Sequence, residues 1–139
     1  MSFNRIRISN KATTLLRILK GRTGLTPNIL SRIGFCLSLG EPGVPDQELY
    51  DDEGQEFNRY TLTGEWDLLF ISLLKERILK DELDPERDLL PQFKAHLNRG
   101  VLTLYSRVKS LTDLYNLIPT QNRAPEPQED QIAEVDQVG

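Results

Sequence analysis

From Asn4 to Ser9 polar and apolar positions alternate, with Ile6 and Ile8 on one face and Arg5 and Arg7 on the other. A period of two predicts a strand. The period then lengthens: Ala12, Leu15, Leu16 and Leu19 fall at helical spacing with Ile18 flanking them, so an amphipathic helix follows directly. It is expected to stop in GRTG, where Gly21 and Gly24 can take left-handed backbone. Thr26-Pro27 reads as N-cap and first residue of a second helix. That helix is apolar over a wide arc (NILSRIGFCLSLG) and ends at Gly40-Glu41-Pro42. Residues 4–39 are therefore strand, helix, turn, helix.

Beyond this unit, FNRYTLT (57–63) has the composition of a short strand, and WDLLFISLLKERILKDEL (66–83) is the most apolar stretch and predicts a central helix. Asp84-Pro85 predicts a restart by the same cap-then-proline logic, with Pro91 breaking or re-initiating it. QFKAHLNRG is expected to close a helix at Gly100, and VLTLYSRVKSL continues with a further helical pattern. Ser110 and Asp113 have capping-box spacing for a last short helix before Pro119. From Thr120 onward there are no aromatic and few apolar residues, which predicts a disordered acidic tail. The expected fold class is mainly α. A ribbon-helix-helix-like N-terminal part (1–40) and an acidic loop (41–56) lead to a helical core part (57–118) in one domain, with a tail at 119–139.

Charge sharpens this division. The chain has net charge −4, yet residues 1–40 hold seven bases and no acid. Glu41 to Glu56 then carries seven acids, no base, two prolines and two glycines, the composition of a solvated loop. Such asymmetry points to a surface for a polyanion at one end of the molecule. The single cysteine excludes an internal disulfide framework and fits a reducing compartment. No apolar run approaches the ~20 residues of a membrane span. The start lacks the apolar stretch of a signal peptide, so the expected location is the cytoplasm.

Candidate chemistry follows from the strand, which needs a partner for its backbone groups. Two are available: residues 57–63 of the same chain, or the same strand of a second copy in an antiparallel ribbon. In the second arrangement strand side chains enter a DNA groove while the second helix aims its N-terminus at a phosphate. Thr26 and Asn28 begin that helix. His96 has no cysteine or carboxylate at ligand spacing and reads as structural. Arg99 sits at an expected helix end, from where it reaches a phosphate or a carboxylate. Asp51, Asp52, Glu53 and Glu56 lack the alternation of a calcium loop. Cys36, among Ile33, Phe35, Leu37 and Leu39, reads as a buried, inert thiol. Neither a cofactor nor a metal is expected, and no nucleophile–base set argues for an enzyme.

The run NRIRISNKATTLLRILKGRTGLTPNILSRIGFCLSLGEPG, with AHLNRGV and LYSRVKSLTDL downstream, resembles the DndE family. That family is the small subunit of the bacterial DNA phosphorothioation system, which replaces a non-bridging phosphate oxygen by sulfur. The resemblance spans residues 3–118. It implies a small, helical, cytoplasmic protein that self-associates as a tetramer and binds double-stranded DNA, nicked duplex included. It also implies partners: a cysteine desulfurase, an iron–sulfur protein and an ATPase-like subunit. The positions expected at DNA, by the charge argument, are Arg5, Arg7, Lys11, Lys20 and Arg22, with Thr26 and Asn28. Arg17 falls on the far side of the first helix from Leu15, Leu16 and Leu19. The rival readings are a ribbon-helix-helix regulator or antitoxin, a DNA nickase, and a scaffold that binds only proteins.

Overall fold

The computed structural model describes residues 3–118; the expected acidic tail lies outside them. Strand β1 (Arg5–Arg7) leads into helices α1 (Asn10–Thr23) and α2 (Pro27–Leu39). A loop containing a 3-10 turn at Gln47–Leu49 runs to strand β2 (Glu56–Asn58) and the short helix α3 (Arg59–Thr63). A second 3-10 turn, Gly64–Trp66, opens α4 (Asp67–Lys80), and α5 (Leu89–Arg107) and α6 (Leu111–Asn116) complete the chain.

The two strands pair antiparallel within the chain, with Arg5 opposite Asn58, Ile6 opposite Phe57 and Arg7 opposite Glu56. Of the two partners open to β1, the internal one forms. Only Phe57 and Asn58 of the expected strand 57–63 take part in it, with Glu56 added: Asn58 accepts hydrogen bonds from the N–H groups of Tyr60 and Thr61. This Asn cap turns the remainder of FNRYTLT into α3 instead of strand.

The cap signals in the first unit act as their chemistry requires. Ser9 Oγ accepts from Ala12 N–H at 3.0 Å to start α1, and Thr26 Oγ1 accepts from Ile29 N–H at 3.4 Å to start α2. Of the two glycines in GRTG, only Gly24 takes left-handed backbone (φ 77°); Gly21 lies inside α1. Asp84 does cap a turn, accepting from Glu86 and Arg87 N–H, but residues 85–88 form only a turn and the helix begins at Leu89. Asp113 accepts from Ser110 N–H at 3.2 Å, as the capping box at α6 predicts.

Gly100 corrects the expected helix end. α5 runs through it without a break for 19 residues, because Gly100 is where α5 crosses α2 at Gly34. A Cβ on Gly34 would lie 2.8 Å from the Gly100 carbonyl carbon, and one on Gly100 would run into the Gly34 carbonyl group. The backbones meet at the crossing, and around it Leu30, Phe35, Phe93, Leu97, Val101 and Leu104 are all at most 1% exposed. Phe35 and Phe93 stack with centroids 5.1 Å apart, and Phe3 meets Phe93 edge-on at 5.8 Å. Burying side chains of this size contributes about 2–3 kcal/mol each. α5 is thus the central element, with α2 packed along its length and α1 and α4 also packed against it.

Candidate nucleic-acid interface

β1 sends Ile6 into the core at 0% exposure, so period-two geometry turns Arg5 and Arg7 outward. Both meet the same carboxylate. Arg5 Nη1 lies 3.7 Å from Glu56 Oε2, and Arg7 Nη2 lies 3.5 Å from Glu56 Oε1. Arg7 also donates to the Gly54 carbonyl at 3.0 Å. Exposed pairs of this kind contribute at most about 1 kcal/mol. One acid between two guanidiniums leaves a net positive charge on this edge.

On α1, Lys11, Arg17 and Lys20 are exposed, and none has an ion pair among the described residues. They do not share one face. At about 100° per residue, Lys11 and Arg22 fall within about 20° of each other, while Lys20 lies about 180° from Lys11. Arg17 lies nearer the Lys20 flank, directed away from the buried Leu15, Leu16 and Leu19. Arg22 is committed elsewhere: its guanidinium sits 4.8 Å over the Tyr105 ring and donates to the Val108 carbonyl at 3.5 Å. Thr26 is exposed and Asn28 half-buried at the start of α2, whose first turn carries no acid. The Thr26 hydroxyl is already used as the cap. The expected seven residues therefore occupy a strand edge, two flanks of α1 and the adjoining start of α2.

Two further arginines are ties to backbone carbonyls. Arg32 donates to the carbonyls of Leu62 (2.5 Å) and Thr61 (3.2 Å). Arg99, expected at a helix end, sits inside α5 and faces its own chain: it donates to Ser38 Oγ and the Ser38 carbonyl, both at 2.8 Å, and pairs with Glu41 at 3.4 Å. Nothing in the local sequence marks these partners, which lie some 30 to 60 positions away. The acidic loop has structural work as well. Asp51 accepts from the N–H of Asn10 and of Glu53, each at 2.9 Å, and these backbone donors hold its carboxyl below the usual range. Asp52 pairs with Lys94 at 3.1 Å. Among the described residues no group of three or more His, Cys, Asp or Glu is placed to hold a metal ion.

His96 is fully buried, with Nδ1 2.8 Å from Ser38 Oγ and its ring edge-on to Phe35 at 6.2 Å. A serine and a histidine do meet, a pair that their separation of 58 positions hides in the sequence. Ser38 is 0% exposed and Arg99 donates to its hydroxyl oxygen, so the pair faces the interior. Burial, with the nearby charges of Arg99 and Arg77, pushes the His96 pKa down to about 4. An unfolded histidine titrates near 6.5, so above that pH both states are neutral and nothing is lost. As pH falls from about 6.5 to about 4 the unfolded chain takes a proton that the folded one refuses. Stability should therefore drop by about 3 kcal/mol across that window. Urea unfolding at pH 7.5, 5.5 and 4.5 checks this, and a His96→Asn chain should lack that component. An equal slope in both chains would remove the assignment to His96.

A family model, DNA sulphur modification protein DndE, matches residues 5–112 of the chain. Two crystal structures are similar in fold and sequence. The structure of DndE from Escherichia coli B7A, involved in DNA phosphorothioation modification, has a TM-score of 0.62 and 28% identity, covering 75% of this chain and 98% of that one. A double glycine-to-lysine DndE mutant, involved in DNA phosphorothioation, has a TM-score of 0.60 and 25% identity, covering 75% and 99%. No curated protein matches the sequence.

Proposed function

The chain belongs to the DndE family of DNA sulphur modification proteins, and from that premise we propose that it is a DNA-binding accessory subunit of the phosphorothioation machinery. It holds duplex DNA, intact or nicked, for partners that install the sulfur: a cysteine desulfurase, an iron–sulfur protein and an ATPase-like subunit. The observation that carries this reading is the exposed cation set Arg5, Arg7, Lys11, Arg17 and Lys20, on a unit with no acid of its own before Glu41. Lysine and arginine at such sites displace condensed counterions from the phosphate backbone. The chemistry then lies with the partners, and the place of action is the cytoplasm.

Self-association is part of the same proposal. α4 turns Leu68, Leu69, Leu73 and Leu79 toward solvent, with Trp66 beside them, at 37–81% exposure. A row of this size on one helix suits contact between copies, and a tetramer is the state we propose. The rival ribbon-helix-helix regulator needs β1 to pair with β1 of a second copy, whereas here β1 takes β2.

Binding of the purified chain to intact, nicked and single-stranded DNA of unrelated sequences, across a salt series, tests this reading. Five phosphate contacts predict a log–log salt slope of about −4.5, with little sequence preference. Absent or salt-insensitive binding would overturn the DNA role and favour a protein scaffold. One strongly preferred sequence would favour the regulator, and metal-dependent strand cleavage the nickase. Light scattering on the same samples gives the mass; a monomer would remove the tetramer.

A further inference from the structure

Between α2, α4 and α6 lies an open cavity of about 1100 Å³ whose walls include Ile33, Leu37, Phe70 and Leu114. Cys36 lies on the same wall and is exposed, which corrects the sequence expectation of a buried thiol: its helix face looks into this groove instead of the core. Among the described residues of the lining, Arg32 is the one that carries a charge. Its hydrogen bonds go to uncharged carbonyls, so its charge has no carboxylate partner among the described residues. Ile118, the last described residue, lines the groove as well.

We propose that the chain's own C-terminal segment, centred on Ile132 and Val135, seats in this groove. Twenty-one residues follow Ile118, which itself lines the groove. Thirteen residues lie between Ile118 and Ile132, a reach of roughly 45 Å when extended, enough to return to any part of the cavity. The apolar side chains of that stretch gather late, at Ile132, Ala133, Val135 and Val138. Glu129, Asp130, Glu134 and Asp136 bracket them, which sets carboxylates beside apolar groups as a wall with a single unpaired arginine requires. Tethering supplies millimolar effective concentration, so a short segment of modest intrinsic affinity suffices. This inference stands independently of the DNA reading.

Cys36 is the only cysteine in the chain, and it reports on the groove directly. The test is the rate of labelling by a small maleimide in the full chain and in the full chain carrying Ile132→Asp and Val135→Asp. Both substitutions lie outside the described fold. The expected result is labelling about threefold or more faster in the substituted chain, reversed by adding a peptide of residues 128–139 in millimolar excess. Equal rates in the two chains overturn the proposal. Rates that fall with protein concentration in both chains alike assign the groove to a second copy, and overturn it too.

Discussion

Replacing Gly100 by alanine is expected to lower stability by about 3 kcal/mol or more and to reduce Tm by on the order of 10 °C. Two effects oppose each other at this site. Alanine is the better helix former by about 1 kcal/mol, and α5 is the longest helix of the described chain. Against this, the new methyl group meets the Gly34 carbonyl and lies 2.9 Å from the Phe35 nitrogen. Those are backbone atoms of α2, which cannot rotate aside as a side chain would. The helices must separate, and separation loosens Phe35, Phe93 and Leu97 together, in an interior that tolerates little change in volume. The clash therefore wins. Gly21→Ala is the internal control, because its Cβ would meet nothing within 4 Å; there only the propensity acts, and stability should rise by up to about 1 kcal/mol. Thermal unfolding of both variants beside the parent chain decides the matter. A Gly100→Ala chain as stable as the parent would show that the crossing has slack the geometry denies.

That pair of glycines also marks where local sequence stops being informative. Thr26 and Asp113 announce helix starts because a cap is a contact over three residues, while Ser9, read as the end of the strand, caps α1 by the same geometry. The Ile6/Ile8 alternation likewise contains its own evidence, being a property of the pleat. Gly100 looks like a helix end for the same local reason, and only the approach of α2, more than sixty positions earlier, makes it a crossing point. The same limit hid the Ser38–His96 pair and turned Arg99 from a candidate phosphate ligand into a tie to Ser38 and Glu41 of its own chain. Cys36 sits among apolar neighbours in sequence, yet Ile33 and Leu37 line an open groove with it while Phe35 alone of the four is fully buried in the core. Of the candidate site, the exposure of Arg5, Arg7, Lys11 and Lys20 was legible, while the packing of Arg22 over Tyr105 and the grouping of the set were not. Lys11 and Lys20 both read as free cations, but their placement on opposite flanks of α1 follows from the helical repeat once the buried face is fixed by Leu15, Leu16 and Leu19.

Removing four of those cations together, Arg5→Ala, Arg7→Ala, Lys11→Ala and Lys20→Ala, should weaken DNA binding by roughly three orders of magnitude at about 0.1 M salt. Each phosphate contact contributes about 0.9 to the log–log salt slope, so the slope should also flatten by about 3.6. The fold should survive, because all four are exposed and the only ion pairs lost are the weak ones to Glu56. Arg22→Ala is expected to behave differently. Its contact over Tyr105 and its bond to Val108 join α1 to the end of α5, so its loss should appear in stability more than in affinity. Glu56 works in the opposite sense to the four. It holds one negative charge against Arg5 and Arg7, and Glu56→Gln should tighten binding by up to about tenfold while steepening the salt slope. Anisotropy titrations of a labelled duplex with these three chains separate the cases. Should the four-fold variant bind as the parent does, DNA must approach from another side, and the acid-free N-terminal unit would be left to face a protein.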